Sequence, residues 1–137
     1  MAIAGGTLQI ARVERPEDIK ERVLQARAIA GWRDAWTNGF VASAEGCELG
    51  LLLLDFYERI LTARVYEIFV LERFRQRRIA AGLMEFAEME ARSYGAKILE
   101  LEAHPLDLST DLSTLRRWYS ALGFEGESDA RLMKKAL

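Results

Sequence analysis

Two hydrophobic periods divide the chain. Residues 7–13, TLQIARV, alternate apolar and polar side chains, which predicts a half-buried strand. Pro16 then stands where a helix would open, with Glu17 and Asp18 in its first turn. Ile19, Val23, Ala26 and Ala30 recur at helical spacing, and Gly31 is the expected stop. Residues 32–39, WRDAWTNG, leave room for a further turn or a loop. Residues 40–60, FVASAEGCELGLLLLDFYERI, predict two strands around a turn at Glu45 and Gly46. The second, over residues 49–57, is apolar on both faces, as in a buried central strand. Residues 63–71, ARVYEIFVL, predict another.

Directly after comes ERFRQRRIAAGLMEFAE, residues 72–88. From Ile79 onward, Ala80, Leu83, Met84, Ala87, Ala91 and Tyr94 form a stripe at helical spacing, closed by Gly95. Residues 96–103, AKILELEA, predict a strand. Residues 114–123, TLRRWYSALG, predict a helix capped by Ser113 or Thr114, and FEG and ARLMKKAL predict closing strands. The order β-α-β-β-β-α-β-α-β-β gives one α/β (α+β) domain over residues 1–137, with a mixed, mostly antiparallel sheet flanked by helices.

Composition narrows the function. The 137 residues carry a net charge of −2, against the basic excess usual for a nucleic-acid binder. One cysteine, Cys47, and one histidine exclude an intramolecular disulfide and argue against a Cys/His metal site. Cys47 falls in a turn with no base beside it in sequence, so it is read as incidental. The first residues have neither the basic n-region nor the long apolar core of a signal peptide, so none is expected, and the longest greasy run, LGLLLL, ends at Asp55, too short to cross a bilayer. The expectation is a soluble, cytoplasmic protein with no nucleic-acid, membrane or metal partner.

The arginines therefore need a local meaning. Arg73, Arg75, Arg77 and Arg78 crowd the start of a helix fed by a strand. A first helical turn leaves backbone N–H groups unpaired, and the dipole adds roughly half a positive charge. That is an anion site, and arginine forks match phosphate oxygens. Ala80 and Ala81 let a ligand approach the backbone. The competing reading is a set of solvated arginines at the less favourable end of a helix.

VLERFRQRRIAAGLMEFAEMEARSYGAKILELEA followed by RRWYSALGF resembles the GNAT superfamily of N-acetyltransferases. Its hallmark is a strand-end valine, a short turn, and [Arg/Gln]-x-x-Gly-x-[Gly/Ala] opening a helix; a later helix carries Tyr-x-x-x-Gly-Phe. Val70 matches the valine, Arg75 and Ala80 the first and last loop positions, and Tyr119, Gly123 and Phe124 the second motif. The resemblance runs from about residue 63 to 124. It implies that the loop, residues 70–71 and 75–81 (Val70, Leu71, Arg75, Gln76, Arg77, Arg78, Ile79, Ala80, Ala81), binds acetyl-CoA. One position departs: Arg78 replaces the first loop glycine. The region before the second strand also departs, with one helix where the family places two.

The implied reaction is direct acetyl transfer from the thioester to an amine. A backbone N–H near Val70 or Leu71 would polarise the carbonyl. Tyr119 would protonate the leaving thiolate, since a phenol with an ordinary pKa of about 10 is neutral at physiological pH. Glu67 is the first candidate base; Glu100, Glu102 and His104 are others, and a water chain competes with all of them. Trp32, Trp36 and Phe40 are candidates for an acceptor-pocket wall or for the core. The alternative is a catalytically degenerate GNAT-fold interaction module with weak or no coenzyme A binding, supported by Arg78. A nucleic-acid binder using the loop with Arg116 and Arg117 is disfavoured by the acidic balance. Apolar closing strands suggest a homodimer.

Overall fold

The computed structural model describes residues 2–3, 6–75, 78–103, 111–126 and 131–137. Strands Ala2–Ile3 (β1) and Gly6–Thr7 (β2) form a small antiparallel pair. The main sheet has six strands in chain order: β3 (Gln9–Val13), β4 (Thr37–Ala44), β5 (Cys47–Tyr57), β6 (Thr62–Val70), β7 (Ile98–Glu102) and β8 (Leu132–Ala136). All neighbours are antiparallel except β6 and β7, which run parallel. Parallel neighbours need a crossover, and helix α2 (Ile79–Ser93) supplies it.

The apolar run of β5 explains the layering. Leu51 and Leu53 face helix α1 (Arg22–Gly31), where they join Leu24, Ala28, Val41, Phe69 and Leu71. Leu52 and Leu54 face the other way, onto Leu83, Met84, Ala87 and Ala91 of α2. Helix α3 (Leu112–Ala121) lies on that second face too, through Leu112, Leu115 and Tyr119. A strand sandwiched by helices on both faces has no polar side, so its sequence does not alternate.

Several expected boundaries move. Pro16 opens only a 3₁₀ turn, Pro16–Asp18, and the α-helix begins at Arg22. The break has a cause: Glu48 Oε1 accepts the N–H groups of Lys20 and Glu21 at 2.8 and 2.6 Å, and Glu21 then caps Leu24 N–H at 2.9 Å. The helix phase follows from that start, so Leu24, Ala28 and Gly31 are buried, and Val23, Ala26 and Ala30 lie exposed. Asp111, not Ser113 or Thr114, caps α3, accepting Thr114 N–H at 2.7 Å. FEG contributes a single bridge, Glu125 with Lys134, rather than a strand. The turn at Glu45 and Gly46 is as expected, with both residues at positive φ, the geometry of a two-residue hairpin loop.

One irregularity shapes the region around the arginine loop. Leu53 pairs with Glu67 and Leu54 with Val65, so Tyr66 is an extra residue in β6. This bulge puts Val65 and Ile68 on the α2 face, and Glu67 and Phe69 on the α1 face. The β6–β7 ladder ends at the same level, at Val65 with Leu101. Beyond it, β6 runs on to Val70 without β7 beside it.

Candidate active site

Past the bulge, the hydrogen-bonding direction of β6 becomes legible. Leu71 N–H donates to Leu49 O at 3.0 Å, making those two a hydrogen-bonded pair. Alternation along an antiparallel ladder then turns the N–H and C=O of Val70 away from β5, to the side that β7 has left. Of the two expected carbonyl-polarising donors, Leu71 N–H is already engaged within the sheet and Val70 N–H faces the opening. Val70 O accepts Arg75 Nε–H at 2.9 Å, which folds the loop back onto the strand end.

The loop itself is a 3₁₀ turn, Glu72–Phe74, followed by Arg75. Gln76 and Arg77 lie outside the described residues. Arg78 is the N-cap of α2, at φ 62° and ψ 18°, with no side-chain capping bond. This is the left-handed region, where a non-glycine residue costs on the order of 1–2 kcal/mol. The position that the resemblance reserves for glycine thus keeps a glycine-like backbone while carrying an arginine. Its side chain is exposed. The first helical bond runs from Gly82 N–H to Arg78 O at 3.1 Å, so Ile79, Ala80 and Ala81 present the unpaired N–H groups of the first turn. Ile79 is buried in the α2-side core and pins that turn in place.

Tyr119 sits on α3 with its ring packed against the α2-side core, Trp118 and Phe124. Burial pushes its phenol up to about 12. The Tyr-x-x-x-Gly-Phe spacing is a helix-ending device. Tyr119 O accepts the N–H groups of Leu122 and Phe124, and Gly123 turns the chain at φ 100°. A Cβ there would also lie 3.1 Å from Lys135 Cε. Phe124, fully buried, anchors the turn.

Glu67 lies on the α1 face of β6, its side chain 17% exposed, ion-paired with Arg27 of α1. Arg27 is a residue that sequence reading missed, because a lone arginine in a helix reads as solvated and its partner is 40 positions away. Its guanidinium also lies 4.0 Å from the centroid of Phe69. A second missed group is Asp55, fully buried in β5 and bonded by Thr37, Arg33 and Tyr57. The sequence showed it only as the end of a greasy run.

The other candidates scatter. Glu100 and Glu102 share Arg64, at 3.1 and 3.8 Å, as strand-surface ion pairs. His104 lies outside the described residues. Phe40 is core, edge-on to Phe86, not a pocket wall. Trp32 fills the space above Gly39, where a Cβ would meet its ring at 2.3 Å. Trp36, 57% exposed, lines a cavity of about 650 Å³ with Phe56, Tyr57 and Tyr94. That cavity opens at the end of the sheet opposite the arginine loop. Cys47 is exposed beside the Glu45–Gly46 turn. Among the described residues no cluster fit to hold a metal ion occurs, and no helix is long and apolar enough to cross a membrane.

The sequence profile of the Acetyltransferase (GNAT) domain matches residues 35–126. No curated protein matches the chain. Solved structures do. The IAA acetyltransferase from Bacillus cereus ATCC 14579 superposes at a TM-score of 0.70 with 18% identity, over 96% of this chain and all of that one. PaiA N-acetyltransferase from Thermoplasma acidophilum, solved in complex with coenzyme A, gives 0.67 and 13%, over 96% and 99%. Nourseothricin acetyltransferase gives 0.60 and 22%, over 75% of this chain and 66% of its own. At these identities the likeness is one of fold. The profile adds the family, and its span takes in the bulged strand, the arginine loop and the Tyr-x-x-x-Gly-Phe helix end: the chain belongs to the GNAT acetyltransferase family.

Proposed function

We propose that the protein is an acetyl-CoA-dependent N-acetyltransferase that moves the acetyl group directly to an amine of a small molecule, peptide or protein. The observation that carries this reading is the uncapped first turn of α2, set behind a left-handed Arg78 at the end of a strand that β7 has left. Unpaired N–H groups with small Ala80 and Ala81 beside them fit a pyrophosphate. The retained backbone at Arg78 weighs against a degenerate, non-binding module.

Each residue then has a role. The N–H groups of Ile79, Ala80 and Ala81 hold the diphosphate, with Arg75 bracing the loop against Val70 O. Val70 N–H donates to the thioester carbonyl oxygen as negative charge builds there; one such donor is typically worth 10²–10³ in rate. The amine nitrogen bonds to the carbonyl carbon and the C–S bond breaks. Glu67 takes the amine proton, directly or through water. Tyr119, held neutral by burial, donates a hydrogen bond to the departing sulfur. With its pKa near 12 against about 8.5 for an ordinary thiol, full proton transfer is uphill, so the bond itself is the contribution.

The test is thermal stabilisation by acetyl-CoA followed by coenzyme A release across an amine panel. The expected result is a rise in Tm at sub-millimolar acetyl-CoA and turnover on at least one amine class. No shift at millimolar concentration would overturn the reading; a shift without turnover on any amine would favour the non-catalytic one.

A further inference from the structure

Phe69 carries two guanidiniums. Arg27 of α1 lies 4.0 Å from its ring centroid and Arg75 of the loop 5.3 Å. Both distances are within the range in which a cation is attracted to an aromatic face. The ring packs in the α1-side core, beside the helix that carries Arg27. Each arginine is held at a second point. Arg27 pairs with Glu67, two residues before Phe69 on the same face of β6. Arg75 donates to Val70 O, one residue after it. Helix α1 and the arginine loop share no backbone element. This ring and the two side chains over it bring them together, beside Phe74 of the loop, which packs on the same cluster.

We infer that Arg27 is a positioning residue for acetyl transfer: held by Glu67, it fixes the Phe69 ring on which Arg75 rests, and so sets the loop that receives acetyl-CoA. The inference rests on the acetyl-CoA reading above. Each of the two like charges over the ring has a polar partner, Arg27 the Glu67 carboxylate and Arg75 the Val70 carbonyl. Loss of Arg27 removes the cation on one side of Phe69 and alters the seat on which Arg75 rests. Arg27 belongs to helix α1, which packs on that face of the sheet, so the pose of that helix is transmitted to the arginine loop. The plain alternative is that Arg27 only docks α1 on the sheet through its ion pair.

A double-substitution cycle read by acetyl-CoA affinity separates the two. Calorimetry would be run on the intact chain and on Arg27→Met, Arg75→Met and the pair, each also in a Phe69→Leu background. Arg27→Met is expected to weaken acetyl-CoA binding about tenfold, and the pair by clearly less than the product of the singles, the mark of coupled sites. In the Phe69→Leu background the effects should multiply. Arg27→Lys, which keeps the ion pair and the cation, should restore most of the affinity. If Arg27→Met lowers Tm but leaves acetyl-CoA affinity within twofold, or if the effects multiply with Phe69 present, the inference is overturned while the acetyl-CoA reading stands. Absence of acetyl-CoA binding by the unsubstituted protein overturns both.

Discussion

Leu71 donates its N–H to Leu49 O at 3.0 Å, and that bond fixes what Val70 can do. Residue 70 must turn its own N–H away from β5, and the β6–β7 ladder has already ended at Val65 and Leu101. A donor aimed at an opening between two parallel strands is a place where a carbonyl can be polarised without breaking the sheet.

Replacing the Val70 amide with an ester, by incorporating the α-hydroxy analogue of valine, removes this donor and leaves shape and side chain intact. The expected outcome is a fall of about 10²–10³ in kcat with KM for acetyl-CoA within a few-fold. The same replacement at Leu71 should lower Tm instead, because it breaks the bond to Leu49. Equal kcat losses at both positions would refute the assignment of Val70.

Arg78 should be relieved by glycine. The left-handed backbone costs a non-glycine residue on the order of 1–2 kcal/mol, and glycine returns about 0.5–1 kcal/mol of that through the unfolded chain. Arg78→Gly is therefore expected to stabilise the protein by roughly 0.5–1 kcal/mol, about 2–5 °C in Tm for a chain of this size. If backbone N–H groups hold the diphosphate, acetyl-CoA affinity stays within a few-fold. A loss of more than tenfold would mean that the exposed guanidinium is the grip.

The order of the main strands and helices along the chain and the position of the loop were legible in the sequence, because both depend on local pattern. Strand β5 is apolar on both faces, β6 is rich in β-branched and aromatic residues, and Gly95 closes α2 at φ 90°. The bulge at Tyr66 was hidden. In RVYEIFV strict alternation would put Val65, Glu67 and Phe69 on one face, whereas Val65 faces α2 while Glu67 and Phe69 face α1. Pro16, Glu17 and Asp18 signal a helix so strongly that the local pattern points to the wrong start for α1, which begins at Arg22. The chain is instead held extended by Glu48, 27 residues from the Glu21 whose N–H it accepts. Arg27 and Asp55 were illegible for a related reason: their partners are set by strand register and helix phase, which no local window contains.

Tyr119 predicts a pH signature. Burial raises its pKa to about 12, so the neutral, donating form persists well above an ordinary tyrosine's range. Activity should show no alkaline limb from this group below about pH 11; a limb near 10 would mean an exposed phenol and the wrong residue. Tyr119→Phe should lower kcat by about 10² or more, judged against typical acid–base contributions. Stability follows the same shift with a definite sign. The folded pKa lies above the unfolded value of about 10, so the contribution is complete below pH 10 and declines as pH rises through about 12. Unfolding free energy of Tyr119→Phe should therefore fall less than that of the unsubstituted protein between those values.

Asp55 offers a test of the missed network. Its carboxylate is fully buried, with Thr37 Oγ1 donating to Oδ1 at 2.8 Å and Arg33 Nη2 to Oδ2 at 2.6 Å. Tyr57 adds a longer bond at 3.3 Å. Arg33 also lies 4.6 Å from the Tyr66 ring, so the group ties β5 to the bulge of β6. Arg33→Met leaves a buried carboxylate short of its charged donor and is expected to cost about 2 kcal/mol, the lower part of the range for charged partners because Arg33 is 40% exposed. Adding Asp55→Asn removes the stranded charge and should recover part of that loss. Urea midpoints for the two singles and the double decide it. A double variant weaker than Arg33→Met alone would show that the carboxylate is satisfied without Arg33, through Thr37 and Tyr57.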